Sequence, residues 1–373
     1  MCSQFTYEAL IDMVFGISNG VADLGTAAWA REVFKDRRPE QGSFVRLSAE
    51  DPFYRDIRDL HIDRLGPLLQ DKAQAIQRTF AEKDSIKPSE MPEYMKRFKT
   101  AQATRGQLEI HINLAHEVRA AIQSDDYKLH LKLEDDITAQ SSQSPLESIE
   151  DWVDDKKPFH EVMRLLSLHS LVSNGIKAKQ LDQIKRSILQ AYGYEHLLTL
   201  CNMERAGMLR YFQTKSVWAG IKRQFQLFPD DPKANDISYA YSGYAPLSVR
   251  LVEMARSGPE GWRSRKDALS LLYGPAQELQ QVPSTGRRPL VTLVVFVGGI
   301  THGELAALRK LSENEDGRRR FLVLTTEMLS AKKLFESMRC AQIGAPTLGE
   351  ARRPKPQAEA KKSTGFSFWP SGR

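Results

Sequence analysis

The feature that most constrains the fold is an apolar, strand-like segment followed by a glycine turn. Leu290 to Val297 contains one polar side chain, Thr292, and two glycines follow at 298 and 299. A continuous apolar run without alternation is typical of a strand covered on both faces. Apolar residues then recur at helical spacing, and a second short apolar run, Phe321 to Leu324, comes next. This order predicts a βαβ unit whose right-handed crossover makes the two strands parallel in one sheet.

The glycine turn raises the question of a phosphate-binding loop. A dinucleotide fingerprint requires G-x-G-x-x-G, and a phosphate loop requires G-x-x-x-x-G-K-[ST]. The segment from Gly298 to Gly303 reads Gly-Gly-Ile-Thr-His-Gly, which fits neither spacing, and no lysine follows it. Thr301 and Glu304 instead match a capping box at a helix start. The spacing therefore favours a structural turn.

Length, composition and cysteine content restrict the class of protein. The 373 residues allow two or three domains, and 41% apolar residues are enough for a core. No stretch approaches the roughly 18 apolar residues of a membrane span, and no signal peptide pattern follows Met1. Cys2, Cys201 and Cys340 are isolated, so neither a disulfide framework nor a zinc site is expected. A reduced, cytoplasmic setting is the prediction.

The positive charge is concentrated at the end of the chain. Residues 341–373 contain six Lys or Arg and two Glu, a net +4 of the total +6, so the first 340 residues carry only +2. This composition predicts a disordered basic tail. A nucleic-acid-binding domain concentrates basic residues on one face. The body of the chain has no such excess, so no nucleic-acid partner is expected.

The first half of the chain predicts a long helical hairpin. Apolar residues follow a helical stripe from Pro52 to Phe80, although Gly66-Pro67 interrupts it. Pro67 is expected to kink or restart this helix. A second apolar stripe, from Leu108 to Ile122, predicts the return helix. The tip of the hairpin is expected near Lys83 to Pro92.

Other segments before and after the hairpin are predicted as a connection and as further helices. Residues 17–50 lack sustained periodicity and predict a long exposed connection. Three helices are expected beyond the hairpin, at Phe159–Val172, Ala178–Gln190 and Tyr194–Ala206.

The sequence offers no set of residues with the types and spacing of a catalytic, metal-binding or cofactor-binding site. His111 and His116 are five residues apart and do not form an i, i+4 metal pair. Ser330 and Lys333 match an S-x-x-K string, but in an amphipathic helix they are expected to face water. No nucleophile, base and orienting group occur together, so a helix-rich binding protein is favoured over an enzyme. The alternative is a nucleotide- or sugar-handling α/β enzyme built on the βαβ unit.

Four stretches in order resemble the SM family of vesicle-fusion regulators, and its vacuolar member most of all. They are Gln4–Asp12 (QFTYEALID), Leu189–Leu209 (LQAYGYEHLLTLCNMERAGML), Asp236–Leu251 (DISYAYSGYAPLSVRL) and Leu290–Thr326. The resemblance covers about residues 3–340.

The resemblance implies an α-rich helical domain with a long hairpin and a partial α/β domain that contains the parallel βαβ unit. Family members are arches of three domains. Residues 51–235 would form the helical third domain, and 236–340 the C-terminal half of the second, α/β domain. Residues 1–50 would be the end of domain two and a linker, before the tail at 341–373. The N-terminal domain and the first strands of the sheet have no counterpart, so a fragment or a truncated gene model is expected.

The resemblance also implies a function without catalytic residues, cofactor or metal. Family members bind SNARE helices and promote their assembly for membrane fusion. The vacuolar member does so in the HOPS and CORVET tethering complexes, at vacuole and late endosome membranes that it reaches through its partners. Ile86, Met91 and Met95 near the hairpin tip are expected to contact SNAREs. Lys185 and Tyr194 are expected to bind vacuolar protein sorting-associated protein 16.

Overall fold

The computed structural model describes residues 2–25, 44–48, 50–82, 89–140, 145–229, 236–256, 266–272, 277, 290–314 and 318–339. Ile86, one of the residues expected to contact SNAREs, and the predicted tail at 341–373 lie outside the described residues.

The described chain is rich in helices. In chain order the helices are α1 (Tyr7–Val14), α2 (Pro52–Ile57), α3 (Ile62–Ala81), α4 (Met91–Gln123), α5 (Asp125–Ala139), α6 (Pro145–Asp154), α7 (Phe159–Val172), α8 (Ala178–Tyr192), α9 (His196–Arg205), α10 (Trp218–Gln224), α11 (Leu247–Arg256), α12 (Lys266–Leu269), α13 (His302–Glu313) and α14 (Ala331–Met338). A 3-10 helix spans Ile237–Tyr241. The strands are β1 (Ile17–Ser18), β2 (Val21–Asp23), β3 (Phe44–Arg46), β4 (Leu290–Phe296), β5 (Ile300–Thr301), β6 (Arg319–Thr325) and β7 (Met328–Leu329).

Helices α3 and α4 form the predicted hairpin. Leu65 and Leu69 of α3 and Leu108 and Val118 of α4 are buried in one core, which explains the two apolar stripes. Helix α3 does not restart at Pro67. A proline inside a helix removes one backbone hydrogen bond and crowds the carbonyl four residues earlier. The apolar stripe is packed on both sides of Pro67, at Leu65 and Leu69, and this packing keeps the helix continuous.

Within the segment expected to be an exposed connection, the described residues contain an ordered sheet, so the prediction was wrong for this part. Residues 26–43 and 49 of the segment lie outside the described residues. Strands β1, β2 and β3 pair antiparallel, with Ala22 opposite both Ile17 and Val45. These three side chains are buried in the core that α1, α3 and α4 share. Strands of two or three residues are too short to show alternation. The available signal was Asn19-Gly20, whose positive φ angles of 51° and 73° make the tight turn of a hairpin.

Helices α5 to α9 enclose a second core. Helix α7 has the predicted bounds and is buried on most sides, as the sequence indicates. Phe335 of α14 enters this core although α14 follows the βαβ unit in the chain. The Ser330 hydroxyl caps α14, and the Lys333 ammonium donates to the Ile17 carbonyl at 2.6 Å, so these two residues do not simply face water.

The βαβ unit has the predicted parallel strands but not the predicted burial. β4 pairs with β6 in register from Leu290↔Arg319 to Phe296↔Thr325. Helix α13 packs on one face, where Phe296 and Val323 join its core. The opposite face, which carries Val291, Leu293 and Leu322, is exposed. The expectation of two covered faces therefore fails within the described part of the chain.

A buried carboxylate connects α1 to α2 and α13. Glu8 accepts a hydrogen bond from the Tyr54 hydroxyl at 2.5 Å and lies 3.3 Å from Arg309, which also contacts Asp59 at 2.6 Å. The His302 ring is 3.6 Å away. Burial alone would raise the pKa of Glu8, but these neighbours outweigh it and lower the pKa to about 2.

The segment around α1 also touches the hairpin and the 3-10 helix. The Tyr7 hydroxyl and a ring nitrogen of His111 in α4 are 3.1 Å apart, and His111 also meets Asp51 at 3.1 Å. The Phe5 N–H donates to the Ala240 carbonyl at 2.8 Å. Tyr7 and Leu10 also share a hydrophobic core with the hairpin, so this core contains residues from outside 51–235. The domain bounds themselves stay a prediction.

The bare sheet face predicts opposite outcomes for two adjacent substitutions in β6. Leu322, which is 51% exposed, tolerates lysine within about 0.5 kcal/mol. The charge should also increase the monomer fraction in size-exclusion chromatography, because exposed apolar strands associate. Lysine at Val323 buries a charge against α13 and should lower stability by about 2 kcal/mol or more. Equal effects of both substitutions on melting and association would contradict this difference between the two faces.

The low pKa of Glu8 predicts an acid-sensitive contribution to stability. The carboxylate contributes fully above its ordinary pKa of 4.5 and loses its contribution as pH falls towards about 2. Glu8→Gln should therefore cost about 3 kcal/mol near pH 7, and its difference from the wild type should shrink between about pH 5 and pH 2. Denaturant unfolding across that range measures it. Glu109→Gln, at an exposed position of α4, is the control. A pH-independent cost would contradict the assignment.

Candidate functional site

Two exposed surfaces of the helical region contain the residues that the sequence singles out. The first, the hairpin end, is the far end of α3 and α4 with Met91 and Met95. The second, the corner surface, comprises Tyr194, Leu197 and Leu198, where α8 turns into α9.

An aromatic cluster holds the hairpin end together. Phe80 of α3 meets Phe98 of α4 edge to face, with ring centroids 5.1 Å apart, and Tyr94 lies against Phe98 at 5.8 Å. An ion pair of 3.2 Å joins Arg97 to Glu82 across the same end. Such aromatic pairs add about 0.5–1.5 kcal/mol beyond their burial. The two helices are therefore held against each other at the hairpin end.

Met91 and Met95 lie exposed beside this cluster. Both side chains are 41% exposed and are one helical turn apart, so they share a face of α4. Exposed methionines suit a contact surface because the flexible thioether adapts to different partners. Both side chains are accessible, as the predicted contact with a SNARE requires. The contact itself stays a prediction.

The aromatic residues of the hairpin end are not among the site residues predicted from the sequence. Tyr94 and Phe98 are four residues apart at the start of the return helix, and Phe80 ends the stripe on the helix before it. This spacing predicts an aromatic i, i+4 pair on one face of the return helix, opposite a third ring.

At the corner surface, the structure separates the roles of Lys185 and Tyr194. Tyr194 is 74% exposed, which excludes a packed position for it. The Lys185 side chain is only 16% exposed. It is ion-paired with Glu204 of α9 and donates to the Tyr211 hydroxyl at 2.9 Å. Lys185 thus links α8 to α9 and does not present a free charge.

The electrostatics of Lys185 agree with this structural role. Burial alone would lower its pKa, but the ion pair with Glu204 and the bond to Tyr211 outweigh burial and raise the pKa above its ordinary value. The Tyr211 hydroxyl donates in turn to Asp182 at 2.9 Å. The cluster therefore fixes the angle at which α9 leaves the corner.

Two leucines that the sequence analysis did not select extend the corner surface. Leu197 and Leu198 are about half exposed on α9, close in sequence to Tyr194. Their neighbours His196 and Leu200 are buried, so the apolar pair lies on the outer side of an otherwise packed helix. Clustered exposed apolar residues of this kind mark interaction surfaces.

The glycine turn of the βαβ unit is filled by the protein's own groups. Thr301 and Glu304 form both hydrogen bonds of the predicted capping box, which confirms that prediction. The Gly303 N–H donates to the Gln4 side-chain oxygen at 2.5 Å, and the Tyr241 hydroxyl lies 2.8 Å from the Thr301 hydroxyl. A phosphate at a helix N-terminus requires free N–H groups. This geometry favours the structural turn over a phosphate site.

The turn also depends on glycine itself. Gly298 and Gly299 have φ angles of 107° and 132°, which side chains rarely adopt. A Cβ at Gly299 would overlap the Leu329 side chain and lie 3.1 Å from the Glu327 carbonyl oxygen. The positive φ angles explain both glycines, and the close approach of Leu329 and Glu327 gives Gly299 a second, steric reason.

A polar pocket of about 440 Å³ lies between α2, the 3-10 helix and α13. The charges that line it balance, and they are Arg55, Arg64, Arg309 and Lys310 against Asp56, Asp59, Asp63 and Glu313. Within it His61 lies 2.8 Å from the Ser242 hydroxyl, and burial lowers the pKa of His61. The balance gives the pocket no preference for an anionic substrate.

The described residues contain neither a metal-type cluster nor a helix of membrane-spanning type. Among the described residues, no His, Cys, Asp and Glu side chains group as they do around a metal ion. None of the described helices has both the length and the apolar composition that crossing a bilayer requires.

Comparison with known proteins gives consistent similarities. A family model described as the Sec1 family matches residues 1–337. Vacuolar protein sorting-associated protein 33A of Rattus norvegicus is 37% identical over 357 residues, which cover 91% of this chain and 59% of the relative. The vacuolar protein-sorting-associated protein 33 homolog of Arabidopsis thaliana is 34% identical, with 90% and 59% covered. The chain therefore spans about 59% of the length of these curated relatives.

Similarity extends to a solved structure. The SM protein Vps45, in a complex with the Qa SNARE Tlg2, matches with a TM-score of 0.60 at 18% identity, covering 91% of this chain and 57% of that one. Identity this low relates the folds alone.

Proposed function

The chain belongs to the Sec1 family, which is the SM family of the sequence resemblance, and on that premise we propose that it binds SNARE helices through its hairpin in vesicle-mediated transport. The observation that carries the proposal is the exposed Met91–Met95 pair on a hairpin end braced by aromatic rings. Its similarity to a vacuolar sorting protein and to an SM protein that was solved in a complex with a Qa SNARE supports the proposal.

The hairpin suits this role physically. Two antiparallel helices offer a straight surface along which an amphipathic helix lies by its apolar stripe. A rigid surface loses little conformational freedom when a partner binds, so more of the contact energy becomes affinity. The aromatic contact between Phe80 and Phe98 supplies that rigidity at the end of the hairpin.

The proposal extends to a tethering complex. The corner surface would bind vacuolar protein sorting-associated protein 16 within HOPS and CORVET, with Tyr194 as the aromatic anchor. Lys185 would act indirectly, because its ion pair with Glu204 holds α8 and α9 in the arrangement that exposes Tyr194. The chain would then act at vacuole and late endosome membranes through its partners, as the helical third domain and part of the second domain of a three-domain arch.

The proposed role requires no covalent step, cofactor or metal. The rival is a nucleotide- or sugar-handling enzyme that would use the glycine turn. Thermal melting with and without a nucleoside triphosphate separates the two, because a ligand that binds the folded state raises the melting temperature. We expect no rise, and a rise that depends on nucleotide concentration would favour the rival.

The hairpin proposal predicts a selective loss of SNARE binding. Asp at Met91 and Met95 together should weaken the binding of a SNARE motif by about tenfold or more, because it places two charges in an apolar contact. The melting temperature should change by only a few degrees, since both side chains are exposed.

Leu171→Asp, at a similarly exposed site on α7, is the matched control and should bind as the wild type does. Calorimetric titration of a SNARE motif into each variant measures the affinities. Unchanged affinity in a folded double variant would refute the role of the hairpin end.

The corner surface predicts different outcomes for its two residues. Tyr194→Asp should abolish binding of the tethering subunit in a pull-down and keep the wild-type melting temperature. Lys185→Met should instead destabilise the protein by about 1–3 kcal/mol, because it leaves Glu204 without its cation. Met13→Asp, at an exposed position of α1, is the control. Full binding by folded Tyr194→Asp would exclude the anchor.

A further inference from the structure

An exposed loop between α9 and α10 carries aromatic and apolar side chains on both sides of a lysine. Residues 211–217 read Tyr-Phe-Gln-Thr-Lys-Ser-Val, and six of the seven are exposed. Phe212 is 51% exposed although it is large and apolar. The apolar side chains of this loop, its lysine and two exposed lysines at the start of α8 form the loop surface, which comprises Lys177, Lys179, Tyr211, Phe212, Lys215 and Val217.

Backbone hydrogen bonds place the loop beside the start of α8. The Ile176 N–H donates to the Arg210 carbonyl at 2.9 Å, and the Ile176 carbonyl accepts from the Phe212 N–H at 2.8 Å. Lys177 is the next residue after Ile176, so its backbone lies next to that of Phe212. The loop surface is therefore one continuous surface, although its residues come from two segments of the chain.

Further contacts fix the loop against the end of α7. The Asn174 side-chain amide donates to the Thr214 hydroxyl at 2.9 Å, and the Ser216 hydroxyl donates to a backbone carbonyl of α7. Gly175 permits this close approach, since a Cβ there would lie 2.6 Å from the Tyr211 carbonyl oxygen. A loop held in this way presents its exposed side chains in a defined arrangement.

The loop surface is basic, although the first 340 residues together carry a net charge of only +2. Residues 205–229 contain five Lys or Arg and no Asp or Glu. The ion pairs of the described residues do not include Lys177, Lys179 or Lys215. The small total charge therefore conceals a local excess of cations.

The three lysines outnumber the carboxylate that contacts the loop. Asp182 accepts a hydrogen bond from the Tyr211 hydroxyl at 2.9 Å. Lys185 donates to the same hydroxyl, but its charge is balanced by its ion pair with Glu204. The loop surface thus has three cations for one neighbouring anion.

Lysines alternating with apolar side chains fit the surface of an anionic lipid bilayer. A lysine close to such a surface strengthens binding by about fivefold, because the negative surface potential attracts it. Aromatic side chains favour the boundary between lipid headgroups and acyl chains. A nucleic-acid backbone would also neutralise the lysines, but it would leave Phe212 and Val217 in water. The combination of charge and exposed apolar groups therefore favours the bilayer.

We infer that the loop surface contacts the headgroup region of an anionic bilayer directly, with Phe212 inserted between the headgroups and the lysines against the lipid phosphates. The inference goes beyond the proposed function, in which the chain reaches membranes through its partners. The contact between Tyr211 and Lys185 places the loop surface next to the corner surface, but the two surfaces share no residue.

Flotation of the full chain with lipid vesicles tests the lysines. The chain should bind vesicles of phosphatidylcholine and phosphatidylserine, and bind vesicles of phosphatidylcholine alone much more weakly. Lys215→Glu should weaken binding to the anionic vesicles by about tenfold or more, because it replaces an attraction with a repulsion. Lys132→Glu makes the same change of charge at an exposed lysine of α5 and should bind as the wild type does.

A second pair of variants tests the apolar contact. Phe212→Ser should weaken binding to the anionic vesicles by about fivefold and leave the melting temperature unchanged, since the side chain is half exposed in the free protein. Leu129→Ser removes an apolar side chain that is 45% exposed on α5 and should have no effect on binding. The basic residues 341–373 are the same in every variant, so their attraction for the vesicles cancels in each comparison.

Four results would overturn the inference. The first is equal binding to vesicles with and without phosphatidylserine, and the second is an equal loss of binding in Lys215→Glu and Lys132→Glu. The third is wild-type binding by folded Phe212→Ser. The fourth is binding of duplex DNA that is tighter than binding of the anionic vesicles and unaffected by Phe212→Ser, which would assign the lysines to a nucleic acid instead.

Discussion

The structure depends on a buried carboxylate, Glu8, that has to be neutralised inside the protein. An ionised carboxylate removed from water is costly unless cations and donors surround it. Here the surrounding groups come from separate elements, with Tyr54 from α2 and Arg309 and His302 from α13. The burial of α1 therefore depends on the packing of α2 and α13 around Glu8. The short helix α1 thereby joins the hairpin base to the βαβ unit.

This connection and the local contacts explain how the two candidate surfaces can be exposed and still well defined. The hairpin is fixed at its base by the contact of Tyr7 with His111 and at its end by the aromatic cluster. The corner surface is fixed by Lys185 between α8 and α9. In both places buried or paired groups set the position, and exposed apolar groups are left for a partner. A surface positioned in this way loses little conformational freedom when a partner binds.

Features that depend on local spacing could be predicted from the sequence. Features that depend on contacts between residues far apart in the chain could not. The bounds of α7 and the capping box at Thr301 follow from helical periodicity and cap chemistry, and both were found as predicted. The exposed face of β4 could not be predicted, because an apolar strand has the same sequence whether or not its second face is covered. At the corner, spacing alone could not show that Lys185 is held by Glu204 and Tyr211, since that contact needs α9 folded back on α8. The antiparallel sheet at β1 to β3 was missed because its strands are shorter than the window in which alternation is visible.

Hydrogen exchange followed by mass spectrometry tests the central claim, that Glu8 couples elements far apart in the chain. The full-length wild type is compared with Glu8→Gln at neutral pH. The account predicts faster exchange in α1, α2 and α13 together, because they share one buried charge network, and unchanged exchange in α7 and α9, which belong to the other core. Faster exchange confined to α1, with α2 and α13 as protected as in the wild type, would contradict it.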